Sequence, residues 1–477
     1  MNEQLPKSLR DAYDIDAFEK VGHELIDFLG QHLRKCKDGS ERVIKYVPPE
    51  EEYDYWANYE MESPMGLFQD LVDRTIHTHH RRYIGHQVSA PAFIPSLSGL
   101  LSELLNAGMG IYEMGAAATA IEKIVIQAFC SQIGYKDGEG DGFLTSGGTL
   151  ANLTALLAAR ASLGAHTPGK EVLLVSDQAH FCIDRAAMTM GMSTDQVIKI
   201  PTTADFTIDI AALEKAISRI EASDQQIMAI IGCACSTSTG SYDEISALAG
   251  LCETRDIWLH IDGAHGGAAA WSDKYGHLVS GISRAQSVII DAHKMMMTPA
   301  LATAVLFKKP DDSYKALSIK ADYLWKRSEG EWYLLAKRTY ETTKLMMSIK
   351  IYALIKMQGH EVIGDFVTRQ YDYARYFADQ VSSHSHLELG HPPMSNIVCF
   401  RYRPDVDVDI NQTNNLIRER LLGDGVFYIV QTMLHENTYL RITIMSPYTQ
   451  KSDLDELIEL VFTTGNQVQQ VLKSGKP

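Results

Sequence analysis

The sequence predicts an α/β protein, with a large domain built on a mostly parallel sheet and a small C-terminal α/β domain. Three observations carry that expectation. Short apolar runs at 172–175, 197–200, 228–234 and 257–262 alternate with helical stretches such as 210–220, the pattern of repeated strand–helix units. Polar residues gather directly after these runs, where a parallel sheet presents ligand-binding groups at the carboxyl ends of its strands. Beyond residue 360 the pattern changes, with strands expected at 396–403, 426–431 and 439–445 between helices at 364–380 and 453–472. A chain of 477 residues exceeds one simple domain and can bury a large core. The expected division is a helical segment over 1–85, the large domain over 86–360 and the small domain over 361–477.

From 16 to 33 the apolar residues Phe18, Val21, Leu25, Phe28 and Leu29 recur every three or four positions, marking an amphipathic helix that Asp14 or Asp16 can cap. A proline- and acid-rich connector follows from Val47, and a second helix is expected over 65–77. The stretch from His77 to His86 is the most histidine-dense in the chain. It can be read as a metal site, although a hydrogen-bonded loop is the commoner meaning of such a cluster. Residues 140–149, Gly-Asp-Gly-Phe-Leu-Thr-Ser146-Gly147-Gly148-Thr, lead into a strong helix former sequence over 150–160. Small residues that open a helix make an anion site from free backbone N–H groups and the helix dipole.

Two strand ends carry the chemistry. The run 257–262 delivers Asp262 within His260-Ile-Asp262-Gly-Ala264-His265-Gly, and the run 288–290 delivers Asp291, His293 and Lys294 ahead of Met295-Met-Met. An ammonium beside an apolar strand and three methionines requires a partner or a covalent use, since its unpaired burial costs several kcal/mol. A lysine and an aspartate on successive strand ends suit pyridoxal 5'-phosphate: the amine forms a Schiff base with the cofactor, and the carboxylate keeps the pyridine nitrogen protonated as an electron sink. The rival from spacing alone is a metal hydrolase built on His260, Asp262 and His265. It leaves Lys294 and the Gly147-Gly148 loop without a role.

These motifs together resemble the group II pyridoxal phosphate-dependent amino-acid decarboxylases, which include the glutamate, cysteine sulfinate, aromatic amino-acid and diaminobutyrate enzymes. The resemblance runs from about Tyr13 to about Val471. It implies fold type I of the pyridoxal phosphate-dependent transferases, the aspartate aminotransferase-like fold, and the conversion of an L-amino acid to its amine and CO2. It implies Ser146, Gly147 and Gly148 at the cofactor phosphate, His180 stacked on the ring, and Thr237, Ala264 and His293 alongside Asp262 and Lys294. Asp243 matches a position near the cofactor. Tyr323, within the polar stretch 308–338 that reads as a lid, matches the mobile-loop tyrosine that delivers a proton to Cα. His86, Thr343, in a stretch 339–358 expected to be helical, and Arg441 match substrate-contacting positions. N-terminal helices packed on a partner subunit imply a homodimer with the active site at the interface. Transamination and decarboxylative oxidation are the alternatives within the same cofactor chemistry. The chain departs from the glutamate and aromatic enzymes at Asp291, where those carry asparagine; a carboxylate there repels a phosphate unless it pairs with a cation or turns away.

The remaining composition narrows the setting. A net charge of −16 argues against nucleic acid or an anionic membrane surface as partner. No run of about 18 apolar residues is present and Met1–Pro6 lacks the plan of a signal peptide, so a cytoplasmic, soluble protein is expected. Seven cysteines scattered through apolar segments do not suggest a disulfide framework, and Cys233-Ala-Cys235 lacks a second ligand pair for a metal.

Overall fold

The computed structural model describes residues 5–136, 138–164, 167–315, 317 and 332–474. Seven strands form the main sheet: β1 Asp141–Thr145, β2 Glu171–Ser176, β3 Val197–Ile200, β4 Gln226–Cys233, β5 Leu259–Asp262, β6 Ser287–Asp291 and β7 Thr303–Phe307. Their spatial order is β1-β7-β6-β5-β4-β2-β3. Strands β3, β2, β4, β5 and β6 are mutually parallel, while β7 runs antiparallel to both β6 and β1. Every residue of β1, β2, β5, β6 and β7 is buried, as expected of a sheet covered by helices on both faces.

Strand β1 was not legible in the sequence, because Asp-Gly-Phe-Leu-Thr offers only two large apolar residues. Its glycine has a steric reason: a Cβ on Gly142 would lie 2.1 Å from the Val305 carbonyl oxygen of β7. Asp141 opens the strand between two cations, 2.8 Å from Lys123 Nζ and 2.7 Å from Arg338 Nη1. A second buried pair, Lys344 with Glu122, lies nearby. These pairs explain a correction. The stretch expected to be helical over 339–358 becomes a helix only at Ser348–Gln358, because Arg338 and Lys344 must reach inward to their carboxylates across an irregular backbone.

The first helix of the 16–33 pattern spans Ile15–Asp38, and Asp14 is its cap, accepting from Ala17 N at 3.1 Å. The helix expected over 65–77 is Pro64–Arg74, which leaves His77 in the turn beyond it. Helices Phe93–Leu105 and Tyr112–Gln132 fill a stretch that had no assignment. No described helix is long and apolar enough to cross a membrane.

The second sheet comprises β8 Leu387–Leu389, β9 Ile397–Tyr402, β10 Val430–Leu434 and β11 Asn437–Thr443, all antiparallel in the order β10-β11-β9-β8. The strand expected over 426–431 starts later, at Val430, and is set by a tight turn in which His435 and Glu436 both take positive φ. Helix Glu361–Ser383 serves both sheets. Ile363, Phe366, Val367 and Tyr371 belong to the core of the large sheet, and Ala374, Phe377 and Val381 to that of the small one. The segment 81–84 is likewise stitched to the small sheet's side of the molecule, through the Tyr83–Tyr428 bridge and the Arg81 Nε–Asp453 Oδ1 contact of 2.7 Å.

Candidate active site

Strands β5 and β6 pair in register, Asp262 beside Ile289, so Asp262 and the turn after Asp291 open on the same edge of the sheet. A cavity of about 510 Å³ lies there, and Ser146, Gly147, Gly148, His180, Thr237, Asp262, Ala264, His293 and Lys294 all line it. The loop that ends β1 brings the glycine pair to this edge. Gly147 takes a φ of 151°, a conformation that favours glycine, and Gly148 begins helix Gly148–Ser162. The helix therefore aims its positive end into the cavity. The amide of Ser146 donates to Glu341 Oε2 at 3.3 Å.

Lys294 Nζ lies 3.1 Å from Asp291 Oδ2. Burial pushes the ammonium toward its neutral form, but Asp291 and Asp262 outweigh it and its pKa is raised. Asp291 thus pairs with a cation. Its other oxygen accepts from Thr303 Oγ1 at 2.5 Å, and a Cβ on Gly148 would come 3.2 Å from it, so this carboxylate sits beside the glycine loop. His293 Nε2 lies 3.6 Å from the same group.

Asp262 is held by Ala264 N at 3.1 Å and Asn152 Nδ2 at 3.0 Å, with the Cys182 thiol a longer third donor at 3.9 Å. The Asn152 contact belongs to a buried chain whose proton positions can be deduced. A carboxylate only accepts, so Asn152 turns its amide nitrogen to Asp262 and its oxygen to His260 Nε2, 2.7 Å away. His260 therefore carries its hydrogen on Nε2. Its Nδ1 accepts from Ser287 Oγ at 2.8 Å, and Ser287 accepts in turn from Trp258 Nε1 at 2.9 Å. Burial lowers the His260 pKa to about 4, which keeps the ring neutral. Both ring nitrogens are committed to protein partners, and the hydrolase reading of His260, Asp262 and His265 loses its first ligand.

His180 stands on the cavity wall with Nδ1 accepting from Cys182 N at 3.2 Å, which leaves its hydrogen on Nε2. Burial lowers its pKa, against an opposing pull from Asp262. Thr237 faces the cavity, and its carbonyl accepts from Arg441 Nη1 at 2.7 Å. Arg441 is buried, and its Nε has no hydrogen-bond partner. Burial lowers its pKa. His86 is exposed against Tyr428, with a ring separation of 5.8 Å; burial of its ring atoms, then the charges of Arg441 and Arg418, lower its pKa. None of Arg441, His86 and Thr343 lines the cavity of this chain, and Thr343 is exposed. Tyr323, with residues 316 and 318–331 of the 308–338 lid, lies outside the described residues. Asp243 is not in the lining: its carboxylate accepts from Ile208 N at 2.7 Å and Cys233 N at 2.8 Å, behind the end of β4.

Among the polar cavity residues, Asn152 and Cys182 had been given no role from the sequence, and His265 had been weighed only as a hydrolase ligand. Asn152 could have been found, because it is a polar residue on the buried face of a helix between Ala151 and Ala155. His265 donates through Nε2 to Asn396 Oδ1 at 2.8 Å, leaving a buried Nδ1 without a partner at the cavity.

These groups fit pyridoxal phosphate. An amine and a hydrogen-bonded carboxylate share one cavity, a glycine loop at a helix N-terminus suits a phosphate, and an imidazole lines the wall between them. The model of the pyridoxal-dependent decarboxylase conserved domain matches residues 55–403, and the chain belongs to that family. It is a carboxy-lyase of fold type I that uses pyridoxal phosphate to remove the α-carboxylate of an amino acid. An aromatic-L-amino-acid decarboxylase of Bacillus atrophaeus is 26% identical, with 95% of this chain and 96% of the relative covered. An acidic amino acid decarboxylase of Mus musculus is 25% identical over 95% of this chain and 88% of its own. The tryptophan decarboxylase of Catharanthus roseus, solved with L-tryptophan, superposes with a TM-score of 0.87 at 22% identity, covering 95% of this chain and 99% of that one; it shares the fold.

Proposed function

We propose that Lys294 is the residue that carries the cofactor, that Asp262 holds its ring nitrogen protonated, and that Ser146, Gly147 and Gly148 receive its phosphate. The observation that carries this reading is the placement of Lys294 and Asp262 at the ends of two paired parallel strands, open to one cavity. Bound pyridoxal phosphate supplies the electron sink for the carbanion that remains when CO2 leaves. Asp262 makes that sink effective, since a nearby carboxylate raises the pKa of a cation by about 1–3 units. Asn152 and the Ala264 amide keep Asp262 aimed at the cavity. His180 packs on the ring face, with Thr237, Ala264 and His293 completing the wall. Arg441, whose Nε has no protein partner, binds the substrate carboxylate, and His86 and Thr343 contact the side chain. Tyr323 returns a proton to Cα.

The active unit is a cytoplasmic homodimer. Phe93, Leu97, Leu100, Leu101, Leu104 and Leu105 are all exposed along one helix, with Ile111 and Met114 beside them, which is more contiguous apolar surface than a monomer ordinarily leaves in water. Seven free, buried cysteines suit a reducing compartment. The substrate is an L-amino acid, and its side chain is open among the acidic, aromatic and basic classes. Screening amino acids, diaminobutyrate and cysteine sulfinate for CO2 release identifies it. Borohydride treatment of the cofactor-loaded enzyme, followed by peptide mapping, puts the pyridoxyl label on Lys294; a label on another lysine defeats the assignment.

A further inference from the structure

Away from the cavity, the helix Ile15–Asp38 presents His32 and Cys36 one turn apart on the same face. Cys36 is buried, and its Sγ lies 3.3 Å from His32 Nε2. His77, in the turn after helix Pro64–Arg74, closes on the same point, its ring centroid 4.6 Å from that of His32 in an edge-on arrangement. One donor atom from each of the three side chains lies within 4.8 Å of both others. Donors around a tetrahedral ion bonded at about 2.0–2.3 Å are themselves spaced by roughly 3.5 Å, so these three need to draw together only slightly.

A thiol–imidazole hydrogen bond accounts for His32 and Cys36 without any ion. It does not account for His77. His77 Nε2 lies 3.0 Å from the Val72 carbonyl oxygen, a group that can only accept, so the ring hydrogen is on Nε2. That leaves Nδ1 with a bare lone pair, and this atom is buried with no hydrogen-bond partner. An orphaned buried acceptor costs about 1–3 kcal/mol. A ring whose N–H is tied to a backbone carbonyl while the other nitrogen is free is oriented as a metal-ligating histidine is.

We propose that His32, Cys36 and His77 form a transition-metal site of the zinc class, separate from the cofactor cavity. Two imidazoles and one thiolate suit zinc, with a fourth position left for solvent. On binding, the Cys36 thiol releases its proton to solvent and the sulfur and two nitrogens each donate a lone pair. The ion joins the long N-terminal helix to the turn at His77, so it acts as a staple for the N-terminal segment. No ligand lines the active-site cavity, and turnover does not depend on the ion directly.

The test uses the full-length, cofactor-loaded enzyme stripped with a chelator and titrated with Co(II), read as difference spectra against the metal-free holoenzyme. One equivalent per chain should produce a thiolate-to-cobalt charge-transfer band, and one equivalent of Zn(II) should remove it. Cys36→Ser should abolish the band while keeping decarboxylation within about threefold of wild type, and His77→Gln should weaken metal binding by more than about 10–100-fold, the loss that disturbing only a ligand's outer-shell partner produces. A wild-type protein without the band, or a Cys36→Ser protein that retains it, overturns the site. Should the variants not fold, alkylation of wild-type Cys36 decides: zinc should slow it at least tenfold, and an unchanged rate refutes ligation.

Discussion

Replacing Asn152 with leucine tests the deduced proton arrangement behind Asp262. Leucine keeps the branched shape but removes both the oxygen that accepts from His260 and the N–H that donates to Asp262. The His260 Nε2–H is then unpaired, at about 1–3 kcal/mol, and the charged Asp262 loses a hydrogen bond worth about 1.5–3 kcal/mol, so stability should fall by about 2.5–6 kcal/mol. Asp262 keeps only the Ala264 amide and the longer Cys182 thiol contact. A hydrogen bond to a charged group is worth about 1.5–3 kcal/mol, and if that loss appears in the transition state, kcat should fall by about 10–100-fold. Urea unfolding followed by tryptophan fluorescence reads the first effect, and steady-state CO2 release reads the second. Asn152→Asp should be worse on both counts, because it sets a second carboxylate about 3.0 Å from the first, where both cannot ionise. If Asn152→Leu unfolds within about 1 kcal/mol of wild type and turns over within about twofold, the relay has no energetic role and the reasoning fails.

Two further outcomes follow from other parts of the molecule. Tyr323→Phe should still release CO2 but yield less amine than CO2, because cleavage needs the ring, Asp262 and orientation, whereas protonation at Cα needs the phenol; equal CO2 and amine at wild-type rate would return Tyr323 to an ordinary loop tyrosine. Stability should fall on acidification below pH 6.5, because burial holds His260 and His80 at a pKa of about 4 and His265 at about 3, below the ordinary 6.5. Between pH 6.5 and 4 the unfolded chain binds protons that the folded chain refuses, so unfolding gains about 1.4 kcal/mol per pH unit for each such group. Asp243 opposes this, since burial raises its pKa to about 6 and the folded form takes up a proton as the pH falls through that value. With three histidines against one aspartate, the urea midpoint of the apoenzyme should drop from pH 7 to pH 5; a midpoint that holds or rises contradicts the burial argument.

The parallel core and the gathering of residues 146–148, 262 and 294 around one cavity were legible because both rest on short-range signals. Apolar runs ending in Asp262 and Asp291, the latter just ahead of Lys294, mark strand ends, and a glycine pair before a helix marks an anion loop. What the sequence hid depends on contacts between distant residues. Strand β1 is a strand because of β7, and Gly142 is understood only from the Val305 carbonyl it approaches. Residues 339–347 were expected to be helical, but Thr339, Tyr340, Thr342 and Thr343 are weak helix formers, and the buried pairs Arg338–Asp141 and Lys344–Glu122 hold the segment irregular. Asn152 drew no notice because its two partners, His260 and Asp262, are more than one hundred residues away. Arg441 and His86 were found by resemblance; their positions beside Thr237 and Tyr428, outside the cavity lining, needed the folded chain.

Helix Glu361–Ser383 contributes Tyr371 to one hydrophobic core and Ala374 to the other, less than one helical turn apart. A bend between the two sheets would therefore have to break backbone hydrogen bonds in the middle of a continuous helix. Melting the small sheet would also strip the large one of the helix's other half. The two cores are thereby made thermodynamically interdependent, and heat should carry them through a single calorimetric transition with no half-melted species in which one sheet outlives the other.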